Sequence, residues 1–260
     1  MLGKIIQGIR SYSFALQIIS RYNLWVWVLL PGLLALAVGG AVIAWGISYM
    51  DSVSDWVLGL TGGISSEFWS SVIETSTEIL AGMIVVILVL YSIKYIAIVV
   101  GSPFMGILSE KVEAKLTGKP APEVSVKEMI QDVVRGLRIA LRNIIRELFY
   151  TLLLTIVGLF IPVVGQLITG VLIFLIQAYY AGFGNMDFTL ERRRYSIKQS
   201  VNFVSSYRGI AVGNGTGFLL LLLVPVVGMV LAPGLGAVAA TVDSIEAIDN
   251  QKYRHRLATT

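Results

Sequence analysis

The sequence predicts an all-α integral membrane protein with two full transmembrane helices, two half-penetrating helical hairpins and an N-terminal amphipathic helix. Hydrophobic residues make up 56% of the 260 residues and charged residues only 14%, whereas soluble domains carry about 25% charged residues. Long apolar stretches run without interruption, which the alternating strands of a membrane barrel would not produce. Two further apolar stretches are broken at their centre by the same Pro-Val-Val-Gly tetrapeptide.

The first 22 residues predict an amphipathic helix that lies at the membrane interface. Apolar residues recur there every three or four positions, at Leu2, Ile5, Ile9, Tyr12, Leu16 and Ile19. A secretory signal peptide would instead contain a solid apolar core followed by a small-residue cleavage site. We therefore expect residues 1–22 to form an interfacial helix.

Two uninterrupted apolar stretches, residues 24–48 and 79–101, predict the full transmembrane helices. The first would extend about 37 Å at 1.5 Å per residue, enough to cross a hydrocarbon core of about 30 Å. Trp25 and Trp45 lie near its ends, as aromatic side chains do at membrane interfaces. Pro31 predicts a kink in its first turns.

Residues 148–184 and 210–242 predict two hairpins whose turns lie inside the membrane. The repeated tetrapeptide begins at Pro162 in the first and at Pro225 in the second. Proline ends the incoming helix, and glycine permits a sharp turn. The arms before the prolines contain about 13 and 14 residues, roughly 20 Å, which is too short to cross a bilayer. Half-penetrating hairpins are therefore expected, although the longer returning arm of the first leaves a full crossing open.

The distribution of charge predicts the orientation in the membrane. Residues 49–78 contain five acidic residues and no lysine or arginine. Apart from Lys94, every basic residue lies in a segment that the predicted topology places on one face: 1–23, 102–147, 185–209 or 243–260. Because basic segments remain cytoplasmic, we expect both termini in the cytoplasm of a bacterium and residues 49–78 outside its inner membrane. Lys94 is expected to reach the cytoplasmic interface, with a pore-lining role as the alternative.

The sequence argues against an enzyme, a metal site and a bound cofactor. It contains no cysteine, and its one histidine, His255, lies in the polar tail of residues 243–260. No nucleophile–base pair, metal-ligand spacing or phosphate-binding glycine loop occurs. The net charge of +4 is explained by topology and anionic membrane lipid, without nucleic acid.

The hairpin turns and two charged segments are the candidate functional elements. Each turn brings a helix N-terminus into the membrane, where its N–H groups favour an anion, unless the turn is buried against protein. One face of the helix leading into the first hairpin carries Arg135, Arg138, Arg142 and Arg146. This stripe favours either contact with lipid phosphates or an electrostatic funnel that gathers an anion. The run of residues 192–194, three arginines, is interpreted as a topology anchor.

The segment 102–118, SPFMGILSEKVEAKLTG, resembles the CysZ sulfate-permease family, which shares its domain with the etoposide-induced membrane proteins. The residues that carry the resemblance are Pro103, Phe104, Gly106, Leu108, Glu110, Glu113 and Lys115. The turns FIPVVGQ and VPVVGMVLAP are also similar to the hairpin turns of the family. The resemblance implies two full spans and two half-penetrating hairpins, a homo-oligomer, and sulfate uptake that feeds cysteine synthesis.

One motif departs from this resemblance. Bacterial sulfate-transporting members carry Gly-x-Arg-Arg just before the Leu-Pro of the first span, and those arginines are associated with sulfate. This chain has Asn23, Leu24, Trp25 and Val26 there, which removes two bidentate donors. Arg21 and Asn23 remain as candidate anion contacts. The family's inverted packing of protomers also conflicts with the charge asymmetry, which favours one orientation.

These observations predict a permease or channel for a small inorganic anion, with sulfate as the first candidate and membrane lipid as a further partner. The expected pathway combines the hairpin turns, a polar network at the inner mouth and a basic approach. Its residues are Pro162, Gly165, Gln166, Pro225, Gly228, Glu110, Glu113, Lys115, Arg135, Arg138 and Arg142. The alternative is a non-transporting scaffold, or a protein whose half-inserted hairpins wedge one leaflet; the missing arginine pair favours this alternative.

Overall fold

The computed structural model describes residues 1–48, 104–119, 126–160, 164–224 and 226–249, and these residues form helices joined by short turns. The all-α prediction is therefore confirmed. The helices in chain order are α1 Leu2–Arg21, α2 Trp25–Ser48, α3 104–117, α4 Val126–Leu159, α5 Val164–Arg192, α6 Ile197–Ser206, α7 Arg208–Leu222 and α8 Val227–Asp249.

In the described parts of the chain, three helical segments are long and apolar enough to cross a membrane: Trp25–Val42, Gly165–Arg192 and Val227–Asp249. The first corresponds to the predicted span 24–48. The predicted span 79–101 and the acidic segment 49–78 lie outside the described residues. The chain divides into two compact units, Met1–Gly32 with Ser102–Thr260 and Leu33–Gly101, and the contacts below all belong to the first.

Helix α8 is the centre of this unit, with about nine-tenths of its apolar span buried by α1, α5 and α7. Glycines allow the surrounding helices to approach each other closely. A Cβ atom at Gly215 of α7 would overlap the carbonyl oxygen of Ala178 in α5, and one at Gly182 would overlap that of Ala211. Small residues of this kind let helix backbones pack together in membranes, where no water drives their association.

Helix α1 packs on α7 and α8 through a face of small and polar residues. Its buried positions are Gly8, Ser11, Ala15, Ile18 and Ile19. Several of the apolar positions that predicted the helix remain exposed instead, among them Leu2, Ile9 and Leu16. Close packing selects the small residues Gly8, Ser11 and Ala15, which leave room for a neighbouring backbone. Ile18 and Ile19 fill the core near the end of the helix, and the exposed apolar side chains are left for lipid.

The described helices end and begin at the two tetrapeptides: α4 ends at Leu159 and α5 begins at Val164, while α7 ends at Leu222 and α8 begins at Val227. The helices nevertheless continue past the predicted outer ends: α4 crosses residue 148 without a break, α5 passes 184 and α8 passes 242. Polar side chains do not end these helices because their groups find partners on neighbouring helices. The half-penetrating depth of the hairpins stays a prediction.

The second turn differs from the expectation that its glycine adopts the sharp conformation. Val226 has the positive φ, 62°, which is sterically unfavourable for a β-branched residue. Gly228 lies inside α8, and a Cβ atom there would overlap the carbonyl oxygen of Leu221. The glycine is therefore required for the close approach of the two arms rather than for the turn itself.

Candidate functional site

The hairpin tips carry few polar groups. At the first tip, the hydroxyl of Thr169 donates to the carbonyl oxygens of Gly165 at 2.9 Å and Gln166 at 3.1 Å. Gly165 is buried and Gln166 is exposed, so the Gln166 side chain is the one polar candidate here that can meet an ion. Pro162 and Pro225, the other predicted tip residues, lie outside the described residues.

An ion-pair network joins the C-terminal ends of α3, α5 and α8. Glu113 accepts hydrogen bonds from Arg192 and from Arg193, the latter at 2.6 Å and 3.1 Å. Arg193 also forms a bidentate pair with Asp249, at 2.6 Å and 3.0 Å. Hydrogen bonds to Asp249, followed by the charge of Glu113, raise the pKa of Arg193 above its ordinary value. The network holds three helix ends together.

This network only partly matches the prediction for Glu110, Glu113 and Lys115. Glu113 lies within it, and Glu110 is close enough to act electrostatically on Arg192. Lys115 contacts a different region, described below. The sequence alone does not indicate that Arg192 and Arg193 pair with acidic residues, because an arginine run after a span also fits a topology anchor.

Basic residues surround the short turn between α1 and α2. The Nζ atom of Lys111 lies 4.9 Å from the centroid of the Trp27 ring, and that of Lys115 lies 5.9 Å from the Tyr22 ring. Arg21 is the last residue of α1, and the first turn of α2 contains no acidic residue. Three cations therefore lie around the start of α2, two of them supplied by α3.

Within that turn, the residues at the positions of the absent arginine pair differ in exposure. Trp25 packs partly against the hydrophobic core, whereas Val26 is 68% exposed. Asn23 is exposed and has a positive φ of 52°, a conformation that asparagine tolerates. The side chains of residues 25 and 26 thus supply no charge, and any ion there would depend on the basic residues around the turn.

The predicted arginine stripe is divided by the structure. Arg135 forms a bidentate pair with Asp187 at 3.0 Å and 3.1 Å, and it also donates to the Tyr195 carbonyl oxygen at 2.7 Å and to the Ser200 hydroxyl at 2.6 Å. These bonds link α4 to α5 and α6. Arg135 is therefore held inside the helical framework rather than presented to an approaching ion.

The rest of the stripe is more accessible. Arg138 and Arg146 are exposed, while Arg142 donates to the Asn143 side-chain oxygen at 2.8 Å. Burial, followed by the neighbouring charge of Arg146, lowers the pKa of Arg142. Arg138 and Arg146 are therefore accessible for either role predicted for the stripe, contact with lipid phosphates or attraction of an anion.

Buried polar side chains cross-link the helices of the core. The hydroxyls of Ser109, Thr189 and Thr241 hydrogen-bond to one another at 2.8–3.3 Å. The Asn185 amide donates to Asn214, whose own amide donates to the Gly236 carbonyl oxygen. Such bonds satisfy polar groups that would be costly in an apolar medium. The sequence signal for them was the presence of Asn and Thr within apolar stretches.

Asp243 is a further buried polar group, in the second half of α8. It accepts hydrogen bonds from Gln7 at 3.0 Å and from Ser11 at 2.6 Å, which join α1 to α8. No cluster of three or more metal-ligating side chains occurs in the described part of the chain.

The family model for the sulfate transporter CysZ and etoposide-induced protein 2.4 matches residues 12–233. A relative from Pectobacterium atrosepticum, named sulfate transporter CysZ, is 25% identical over 229 residues, 87% of this chain and 80% of the relative. One of the same name from Pseudomonas aeruginosa is 27% identical over 88% of this chain and 90% of the relative. Another from Vibrio cholerae is 25% identical over 87% and 88%.

Proposed function

Because the chain belongs to the sulfate transporter CysZ and etoposide-induced protein 2.4 family, we propose that it is a permease or channel for a small inorganic anion. Sulfate is the leading candidate, taken up across a bacterial inner membrane to supply cysteine synthesis. The observation that carries the proposal is the family match over residues 12–233. Relatives that are named sulfate transporter CysZ align with most of the chain, and they support the proposal.

One proposed contact of the anion is the turn between α1 and α2, which the predicted topology places on the cytoplasmic face. Arg21, Lys111 and Lys115 supply positive charge around it, and Asn23 adds an exposed amide. Lysines offer point charges without the bidentate geometry of the absent arginine pair. We expect weaker binding of sulfate with faster release, which suits conduction because a permeating ion must also leave its site.

The proposed pathway also includes the hairpin tips and the inner ion-pair network. At the tips, Gln166 with Gly165, Gly228 and the two prolines, Pro162 and Pro225, would contact the ion. At the cytoplasmic side, Glu110 and Glu113 belong to the charged set that borders the exit, and the exposed Arg138 attracts anions. Arg142 lies on the same helix face as Arg138 and adds to the positive charge near the pathway. Arg135 supports the pathway indirectly, because it holds α4 against α5 and α6.

The test is uptake of radiolabelled sulfate by proteoliposomes that contain the purified chain, with protein-free liposomes as the blank. We expect saturable uptake that excess unlabelled sulfate abolishes and excess chloride leaves largely intact. Uptake equal to that of protein-free liposomes would contradict the proposal.

The second candidate is a scaffold or leaflet wedge of the same fold. It is favoured by the exposure of the first hairpin, since only about 28% of the apolar span of α5 is buried. Substitution Q166A separates the two functions: it alters sulfate uptake in a permease, while a wedge tolerates it because the apolar surface is unchanged. A homo-oligomer is also proposed, and light scattering of the protein in detergent measures its mass directly.

A further inference from the structure

Two arginines of α4 and two tyrosines of α5 meet on one side of the first hairpin. Arg142 and Arg146 are one turn apart, and both interact electrostatically with Tyr179 and Tyr180. The two tyrosine rings contact each other edge to face, with centroids 5.2 Å apart. We call these four residues the Arg–Tyr belt.

The Arg–Tyr belt marks the start of an exposed apolar surface. From Arg146 to the tip at Phe160, α4 extends about 21 Å, and the apolar side chains exposed there include Phe149, Leu152 and Ile156. On α5 the distance from Tyr179 back to Val164 is about 22 Å, and Leu167 and Val171 are exposed within it. The belt therefore lies at one level on both antiparallel helices. The surface exposed between it and the tip is mostly apolar, with Thr155 and Gln166 as exposed polar side chains.

The charge of the belt is not neutralised within the described residues. The groups that act on Arg142 are a second arginine and the two tyrosines, and no carboxylate is among them. On this helix, Arg135 is the residue that pairs with Asp187 and Glu191. Two adjacent arginines repel each other, so a bound anion between them would be favourable.

We propose that the Arg–Tyr belt binds the phosphate of an anionic phospholipid whose acyl chains lie along the exposed arms of α4 and α5. Arginine forms bidentate hydrogen bonds with phosphate, and tyrosine is favoured where one end of the ring is apolar and the other is wet. The apolar arms, about 21 Å long, are long enough for an acyl chain to lie along them. The site goes beyond anion transport, and it does not depend on the transported ion.

The test measures binding of fluorescent phosphatidylglycerol, and separately of phosphatidylcholine, to the purified full chain in detergent. The wild type is expected to prefer phosphatidylglycerol. The double variant R142Q/R146Q is expected to bind it about thirtyfold more weakly, since each basic residue near an anionic lipid contributes roughly fivefold in affinity. The matched control K198Q/R208Q removes two exposed basic residues elsewhere and is expected to bind like the wild type.

Three results would overturn the proposal. The wild type could bind both lipids equally, or the control variant could lose as much affinity as R142Q/R146Q. Inorganic phosphate could also displace phosphatidylglycerol at equal concentration, which would mean that the arginines recognise phosphate alone. The first and third results need only the wild type, so they decide the matter even where a variant fails to fold.

Discussion

Replacing Arg135 by glutamine tests whether this residue belongs to the framework or to an anion pathway. Its guanidinium contacts three partners: the Asp187 carboxylate, the Tyr195 carbonyl oxygen and the Ser200 hydroxyl. The substitution R135Q removes the charge and most of these bonds. It also leaves Asp187, whose side chain is only 6% exposed, without this cation.

The expected loss of stability follows from these contacts. Hydrogen bonds that involve a charged group contribute about 1.5–3 kcal/mol each, and removing one partner of a buried ion pair costs about 3–5 kcal/mol. These values overlap rather than add, because they describe the same interactions. We therefore expect R135Q to lower the free energy of unfolding by about 3 kcal/mol, which corresponds to roughly 6–12 °C in Tm.

The assay is thermal unfolding of the purified protein in detergent, followed by circular dichroism at a helical wavelength. The matched variant R138Q removes an exposed arginine from the same helix and is expected to change Tm by less than about 2 °C. In a double-mutant cycle, R135Q/D187N should be more stable than the sum of the single losses predicts. An unchanged Tm for R135Q would refute the framework role and return Arg135 to the predicted anion approach.

Three further predictions concern helix packing, the second turn and the charged turn between α1 and α2. The substitution G215A should lower the free energy of unfolding by about 1–3 kcal/mol, because its Cβ atom would overlap the Ala178 carbonyl oxygen. The control G170A on α5 places its Cβ atom in open space and should be neutral or stabilising. Thermal unfolding compares the two variants. The substitution V226G should raise the free energy of unfolding by about 1 kcal/mol, since glycine adopts the positive φ without a steric penalty. The control V227G, within α8, should lower it in the same measurement. Equal effects of the two substitutions would contradict backbone strain at Val226. The double variant K111Q/K115Q should raise the half-saturating sulfate concentration for uptake on the order of tenfold, whereas K198Q/R208Q should leave it unchanged. Equal uptake curves for wild type and K111Q/K115Q would show that neither lysine contacts the transported anion.

The turns of the fold were predictable because their cause is local. Proline cannot continue a helix, so Pro162 and Pro225 in apolar stretches located both hairpin turns from the sequence alone. The positive φ at Val226 was not predictable in the same way. Glycine usually adopts that conformation, and only the packing of Gly228 against Leu221 shows why it is used differently.

The charged contacts were less predictable because their partners are distant in the chain. Arg193 pairs with Glu113 and Asp249, which are 80 and 56 positions away. Arg135 pairs with Asp187, 52 positions away. Helical periodicity places Arg135, Arg138 and Arg142 on one face, but it does not indicate which of them meets a carboxylate from another helix.

The same limit applies to the proposed anion contact at the turn between α1 and α2. The resemblance identified the absence of arginines at Trp25 and Val26. It gave no indication that α3 would bring Lys111 and Lys115 to the aromatic rings beside that turn. Lys115 was expected at the inner polar network because it belongs, with Glu110 and Glu113, to the segment that resembles the family. Only the packing of α3 against α1 and α2 distinguishes these two positions.

The most direct test of the transport proposal is the initial rate of radiolabelled sulfate uptake by proteoliposomes over a range of sulfate concentrations. The proposal predicts a rate that saturates, exceeds that of protein-free liposomes and persists in excess chloride. A rate that rises linearly with concentration and equals the protein-free blank would contradict it, and would favour the scaffold or leaflet wedge.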